Sequence, residues 1–262
     1  QMIKFFRNLR KVRLKEGKIV SYLKYAIGEI ILVVIGILIA FQLNDWNDSR
    51  KQLKLENEYY CRLLEDATLD NEQINNLLVL AENRLKASNR AVRLLLQDIV
   101  IKAEAGTQIS LATKAIYSDF EPNNSAYEDL KSGANLNIIS DKAIITALNR
   151  YFNKVEELKS IIMINGKHAV DISFSHNDYF ANGAIQASIK DGRFKTGLDQ
   201  DLKEKIKTIE QDQFSAEMKS RLLNESLEYV AANTRQVELY ALMIKEIESL
   251  ESLLQSKCQV NI

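Results

Sequence analysis

From Ile30 to Phe41 the chain runs twelve residues without a polar side chain, inside a 19-residue stretch from Tyr25 to Leu43. As an α-helix that stretch is ~28 Å long, close to the ~30 Å hydrocarbon thickness of a bilayer. In lipid every backbone N–H and C=O must find its partner within the segment, which a lone segment achieves only as a helix. Tyr22 and Tyr25 mark one membrane interface, and Gln42, Asn44, Asp45 and Trp46 mark the other, in the manner of an aromatic belt. A cleaved signal peptide fits less well. The apolar run is long, no small-x-small site follows it, and residues 42–48 lead directly into a helical pattern. The expectation is a transmembrane helix over 25–46.

Net charge is formally zero, but it is unevenly placed. Residues 1–24 hold eight Lys/Arg and one acid, a net +7, so the remainder carries −7. The positive-inside bias puts residues 1–24 in the cytoplasm and residues 47–262 on the periplasmic side of an inner membrane. In the head, Met2, Phe5, Phe6, Leu9 and Val12 fall at helical spacing with Arg7, Arg10 and Lys11 between them, the pattern of a short amphipathic helix lying on an anionic membrane surface. The expected membrane-surface contacts are Phe5, Phe6, Arg7, Arg10, Lys11, Tyr22, Tyr25 and Trp46. A mildly acidic body lacks the basic face that nucleic-acid binding requires.

Beyond Trp46 the chain has a single proline and few glycines, so turns are scarce and long helices are favoured. Tyr60, Leu63, Ala67, Ile74, Leu77, Ala81, Leu85, Val92, Leu95 and Ile99 step by three and four, with an interruption near Asp70–Asn71. This predicts a helix from the membrane to about Ala105, stopped at Gly106. "NNSAYEDLKSGANL" (Asn123–Leu136) predicts a small helix ending at Gly133. Ile144 through Ile172 predicts a second long helix with its N-cap at Ser140 or Asp141. Glycines 183, 192 and 197 mark a loop. Leu223, Leu227, Val230, Thr234, Val237, Ala241, Ile244 and Leu250 predict a last long helix ending before Cys258. The fold class is all-α, a single transmembrane helix continuing into an elongated helical bundle.

Candidate chemistry is thin. Cys61 and Cys258 lie nearly 200 positions apart with no metal-ligand spacing. Two arrangements are open. The expected one is two separate thiols; the other is one long loop closed in an oxidising compartment, which needs the C-terminal end to fold back. His168 and His176, near Asp171 and Asp178 in "KHAVDISFSHNDYF", have an eight-residue spacing that suits a metal site poorly, so solvated bundle histidines are expected. Tyr59 and Tyr60 in "NEYYCRLL" read as bundle core or subunit contact. No nucleophile motif or phosphate-cradling glycine loop is present. The reading is therefore non-catalytic, with no cofactor and no metal.

"YAIGEIILVVIGILIAFQLNDWN" and "SAYEDLKSGANLNIISDKAI", with the late "LYALMIKEIESL", resemble a bacterial family of unknown function. Its members are single-span proteins with a basic head, a YAIGEI-type span and a helical body. The resemblance implies membrane anchorage in a Gram-negative host and a periplasmic body, and carries over no activity.

Glu29 is the one costly residue in the span. Glu29, Val33, Gly36, Ala40 and Leu43 share one stripe through steps of four and three. Gly36 and Ala40 form a small-xxx-small pair that lets helices approach closely in lipid. The expectation is a parallel homo-oligomer, with Glu29 paired inside the interface, acting as a scaffold, accessory or sensor-like protein in the bilayer. An unidentified membrane protein is a second partner for Glu29. The alternatives are an oligomer conducting ions or protons along Glu29 and, last, a periplasmic metal-dependent enzyme.

Overall fold

The computed structural model describes residues 19–117, 120–133, 136–175, 197, 199–209 and 213–258. Phe5, Phe6, Arg7, Arg10, Lys11, His176, Asp178 and glycines 183 and 192 lie outside the described residues, as does the side chain of Tyr22. Every regular element among the described residues is helical. In chain order they are α1 (Ile19–Leu95), α2 (Lys102–Thr113), α3 (Ser125–Ser132), a 3-10 turn (Leu136–Ile138), α4 (Lys142–Phe174), α5 (Gln200–Ile209) and α6 (Ala216–Gln255). The chain falls into two units, Gln1–Glu56 and Asn57–Ile262. The long N-terminal apolar helix continues into the helical region, as expected.

In the second unit α1 buries a strict seam: Tyr60, Leu63, Ala67, Asp70, Ile74, Leu77, Ala81, Arg84, Ser88, Ala91 and Leu95. The steps alternate three and four, the heptad repeat that keeps one face of a helix against its neighbours. α4 presents Ile144, Leu148, Tyr151, Val155, Leu158 and Ile162. α6 presents Leu222, Ser226, Tyr229, Asn233, Gln236, Tyr240, Met243, Ile247, Leu250 and Leu254. Pairings along the helices order them. Arg84 meets Asn233 while Asn71 meets Glu251, so α6 runs antiparallel to α1. Asp70 meets Tyr151, and Arg150 meets Glu246 while His168 faces Glu228, so α4 is parallel to α1 and antiparallel to α6. The segment from α2 through α3 carries the chain back along α1 before α4 begins.

Local capping explains the helix starts. The Asp141 side chain accepts from Ala143 N–H at 2.9 Å, the N-cap expected for α4. Ser215 caps α6 by accepting from Met218 N–H at 3.1 Å. α3 takes its anion from a distant element: Asp66 of α1 accepts from Ala126 N–H at 3.0 Å and from Ser125 Oγ. As expected, Gly133 ends this helix.

Three expectations about the long helices are corrected. α1 stops at Leu95, not near Ala105; a turn follows, and Gly106 sits buried inside α2. Ile99, placed on the seam by the periodicity, is 73% exposed in that turn. Asp70–Asn71 is no interruption, because α1 runs straight through with Asp70 wholly buried. The extent of the last helix is as expected, but its buried face is displaced: Leu227 is 51% exposed and Thr234 exposed, while Asn233 and Gln236 are buried. In the last two cases a polar residue occupies a seam position, so apolar periodicity alone slips to a neighbouring face.

Cys61 and Cys258 are joined in a disulfide, with Cα atoms 4.8 Å apart, which overturns the expectation of separate thiols. Antiparallel α6 brings its C-terminal end back to the start of the body. There Lys257 also pairs with Asp141 at 2.9 Å, tying the same corner to α4. Tyr59 and Tyr60 are buried beside it in the core.

Closing a loop of 197 residues removes chain entropy from the unfolded state worth at most about 5 kcal/mol. Cys61→Ser is expected to lower the unfolding free energy by about 3–5 kcal/mol. Urea unfolding should show the loss, and reductant should destabilise the native chain but not the variant.

Candidate functional site

The sequence-derived stripe lies on the apolar part of α1. Its most apolar 18-residue window has a mean hydropathy of 2.5 and none of it is buried. This helix is long and apolar enough to cross a membrane. Tyr25, Val33, Leu43 and Trp46 are exposed, as are Gly36 and Ala40, while Glu29 is half-buried. A Cβ placed on Gly36 would meet nothing within 4 Å, so the room that a small residue gives to a neighbouring helix is open.

Two polar clusters in the body take seam positions that the sequence pattern passed over. The first centres on Asp70. Its Oδ1 accepts from Asn123 N at 2.6 Å and Asn123 Nδ2 at 2.8 Å, and its Oδ2 accepts from Tyr151 Oη at 2.6 Å. One carboxylate thus holds α1, the stretch before α3, and α4. Burial pushes the Asp70 carboxyl above the usual range, opposed by those three hydrogen bonds. Burial, with Asp70 beside it, also raises the Tyr151 phenol, which stays a donor.

The second cluster is a complete polar layer. It divides an apolar core containing Ala81, Ile162 and Leu239 from another containing Ala87, Ala169 and Tyr229. Arg84 is 3% exposed. Its Nε donates to Asn233 Oδ1 at 3.1 Å, Nη2 to Gln236 Oε1 at 2.7 Å, and Nη1 to Ala115 O at 3.4 Å. Asn233 Nδ2 donates onward to Ser88 Oγ and Ala112 O, both at 3.0 Å, and Gln236 Nε2 donates to Ile116 O at 3.1 Å. The guanidinium therefore rests on neutral oxygens, and burial lowers its pKa from the ordinary arginine value.

These bonds hold the turn after α2, where Ala115 has φ 55°. That left-handed conformation costs an alanine about 1–2 kcal/mol. α4 crosses this turn so closely that a Cβ on Gly166 would lie 3.0 Å from Ile116 O. A side chain there would require the backbone at Ile116 to give by a few tenths of an ångström.

Asp129 is placed by α3 at the body's surface, accepting from Arg62 at 2.9 Å and Tyr59 Oη at 3.1 Å. The Arg62 hydrogen bond, then Tyr59, holds its carboxyl below the usual range. His168 is exposed, 3.9 Å from Glu228. Among the described residues no group of three or more His, Cys, Asp or Glu converges as a metal site would. None of Asp70, Arg84, Ser88, Asn233 and Gln236 was singled out from sequence as a functional position. The signal that finds them is the heptad itself, continued through polar residues.

Residues 29–193 match the Family of unknown function (DUF6090). The matched segment opens on Glu29 and includes Asp70, Arg84, Cys61 and α4; Cys258 and the amides of α6 lie beyond it. No curated protein and no solved structure matches the chain.

Because the folded-state pKa of Asp70 is raised, its contribution to stability is full below the ordinary carboxylate range and is lost as pH rises through the raised value. Asp129 and Asp141, held low by their cationic partners, act in the opposite sense, and their contributions fade in acid. Asp70→Asn keeps an acceptor for Asn123 without the titration. The variant is expected to lose the fall in stability on raising pH from about 4 to 7, read as the difference between wild-type and variant urea midpoints across that range.

Proposed function

The chain belongs to the Family of unknown function (DUF6090), and from that premise we propose a membrane-anchored, non-catalytic scaffold or accessory subunit with an exported body. Residues 25–46 cross the inner membrane, residues 1–24 remain cytoplasmic, and the bundle stands in the periplasm. The observation that carries this reading is the pairing of an unburied apolar helix segment with a body closed by Cys61–Cys258. A disulfide persists in the periplasm and is rare in the bacterial cytosol. The +7 charge of the head supports the same orientation by a separate physical route.

The subunits associate in parallel through Glu29, Val33, Gly36, Ala40 and Leu43. Support comes from the open space at Gly36 and from the expense of a carboxylate facing lipid, about 3 kcal/mol at mid-membrane. A non-catalytic role is supported by how the body uses its buried polar groups. Asp70 is spent on Asn123 and Tyr151, and Arg84, Asn233 and Gln236 on one another, on Ser88 and on backbone carbonyls, so they hold helices in register.

Orientation is tested in spheroplasts. External protease should digest the body while an N-terminal tag stays protected, and Cys61 and Cys258 should resist alkylation until reduced. A body reached only after lysis sinks the proposal. Association is tested by Glu29→Gln in native detergent. The variant should shift the oligomer towards smaller species with unchanged ion permeability; currents that vanish with Glu29 would favour conduction instead.

A further inference from the structure

A groove opens over the Arg84 layer, between the last turns of α1 and the end of α2. Its volume is about 340 Å³, and its lining includes four cations, Arg84, Lys86, Arg90 and Lys114, and no carboxylate. The chain as a whole balances 35 basic against 35 acidic residues, so composition does not account for an acid-free groove. Elsewhere on the body the surface cations pair readily, as Arg62–Asp129, Arg150–Glu246 and Lys159–Glu121 do. Among the described residues none of the four groove cations has an acidic partner.

Like charges gathered this way destabilise the folded state, and Arg84 adds a desolvated charge beneath them. A guanidinium has five N–H donors, and neutral oxygens take three of Arg84's. Three carbonyls at and just after the end of α2, which would otherwise repel an anion, accept hydrogen bonds: Ala112 O from Asn233, Ala115 O from Arg84 and Ile116 O from Gln236. Leu80, Ala87 and Leu111 supply apolar wall, and the amides of Asn83 and Gln108 supply neutral donors. A few directed polar groups in a mostly apolar cavity of this size are the ordinary makings of a small-ligand site.

We propose that this groove binds a small organic anion, one carboxylate or phosphate group on an apolar body. The charged group sits among Lys86, Arg90 and Lys114 above Arg84, and the apolar body lies on Leu80 and Leu111. Occupancy relieves the repulsion among the four cations, so the ligand stabilises the α1–α2 corner of the body.

The test uses the full chain in phosphatidylcholine nanodiscs, titrated calorimetrically with hexanoate and hexyl phosphate. At least one should bind saturably with Kd near millimolar, about what so few heavy atoms sustain. Binding should weaken with added salt. Lys86→Gln with Arg90→Gln, both on the exposed rim, should weaken it by about tenfold, while Lys245→Gln outside the groove changes nothing. Hexanol should not saturate, and inorganic phosphate should bind more weakly than hexyl phosphate. The proposal is overturned by no binding of either probe, by binding indifferent to the rim substitutions, or by phosphate matching hexyl phosphate. A tetraglutamate peptide binding more tightly than either probe would equally overturn the ligand class and assign the groove to an acidic protein segment.

Discussion

The register of α6 against α1 is set at two points, and the rest of the body depends on it. At one end the Cys61–Cys258 bond locks the start of the body to the finish of α6. Near the other, Arg84 accepts only one alignment, because Asn233 and Gln236 must both reach its guanidinium. Apolar seams of similar heptad spacing can slide past one another by a turn at modest cost. A buried cation with two amide partners cannot, since a shift leaves a desolvated charge unpaired. With α1 and α6 aligned, the Asp70 carboxylate meets Tyr151 and fixes α4 beside them.

The same layer links packing to surface chemistry. Arg84 is stabilised from below by neutral oxygens, and its charge is therefore not cancelled. The turn it holds carries Lys114, and the exposed face of α1 beside it carries Lys86 and Arg90. A device that specifies helix register thus leaves a positive groove above it. On the N-terminal part of α1 the opposite chemistry holds: unburied aliphatic side chains, one half-buried carboxylate and open space at Gly36. One continuous helix bears both.

Much of the architecture was legible in the sequence. The scarcity of proline and glycine, the apolar run, the small helix before Gly133 and the Asp141 cap all led to the elements found. What misled was the assumption that a seam is apolar. Asp70 breaks the apolar pattern, and Arg84 and Ser88 shift that pattern onto Leu85 and Val92. Asn233 and Gln236 displaced the reading of α6 onto Leu227 and Thr234. These residues look like solvated positions because a sequence does not display their partners, which lie about 150 positions away in the case of Arg84.

By itself, the sequence determined the helical class, the apolar segment and the sign of charge flanking it. These depend on local spacing and composition, which need no knowledge of neighbours. Tertiary structure decided the pairing of the two cysteines, the burial of Asp70 and Arg84, and the gathering around one groove of four cations that have no acidic partner among the described residues. Each of these depends on which helices lie side by side and in which direction. That choice comes from satisfying buried polar groups across the bundle, a constraint no single segment contains.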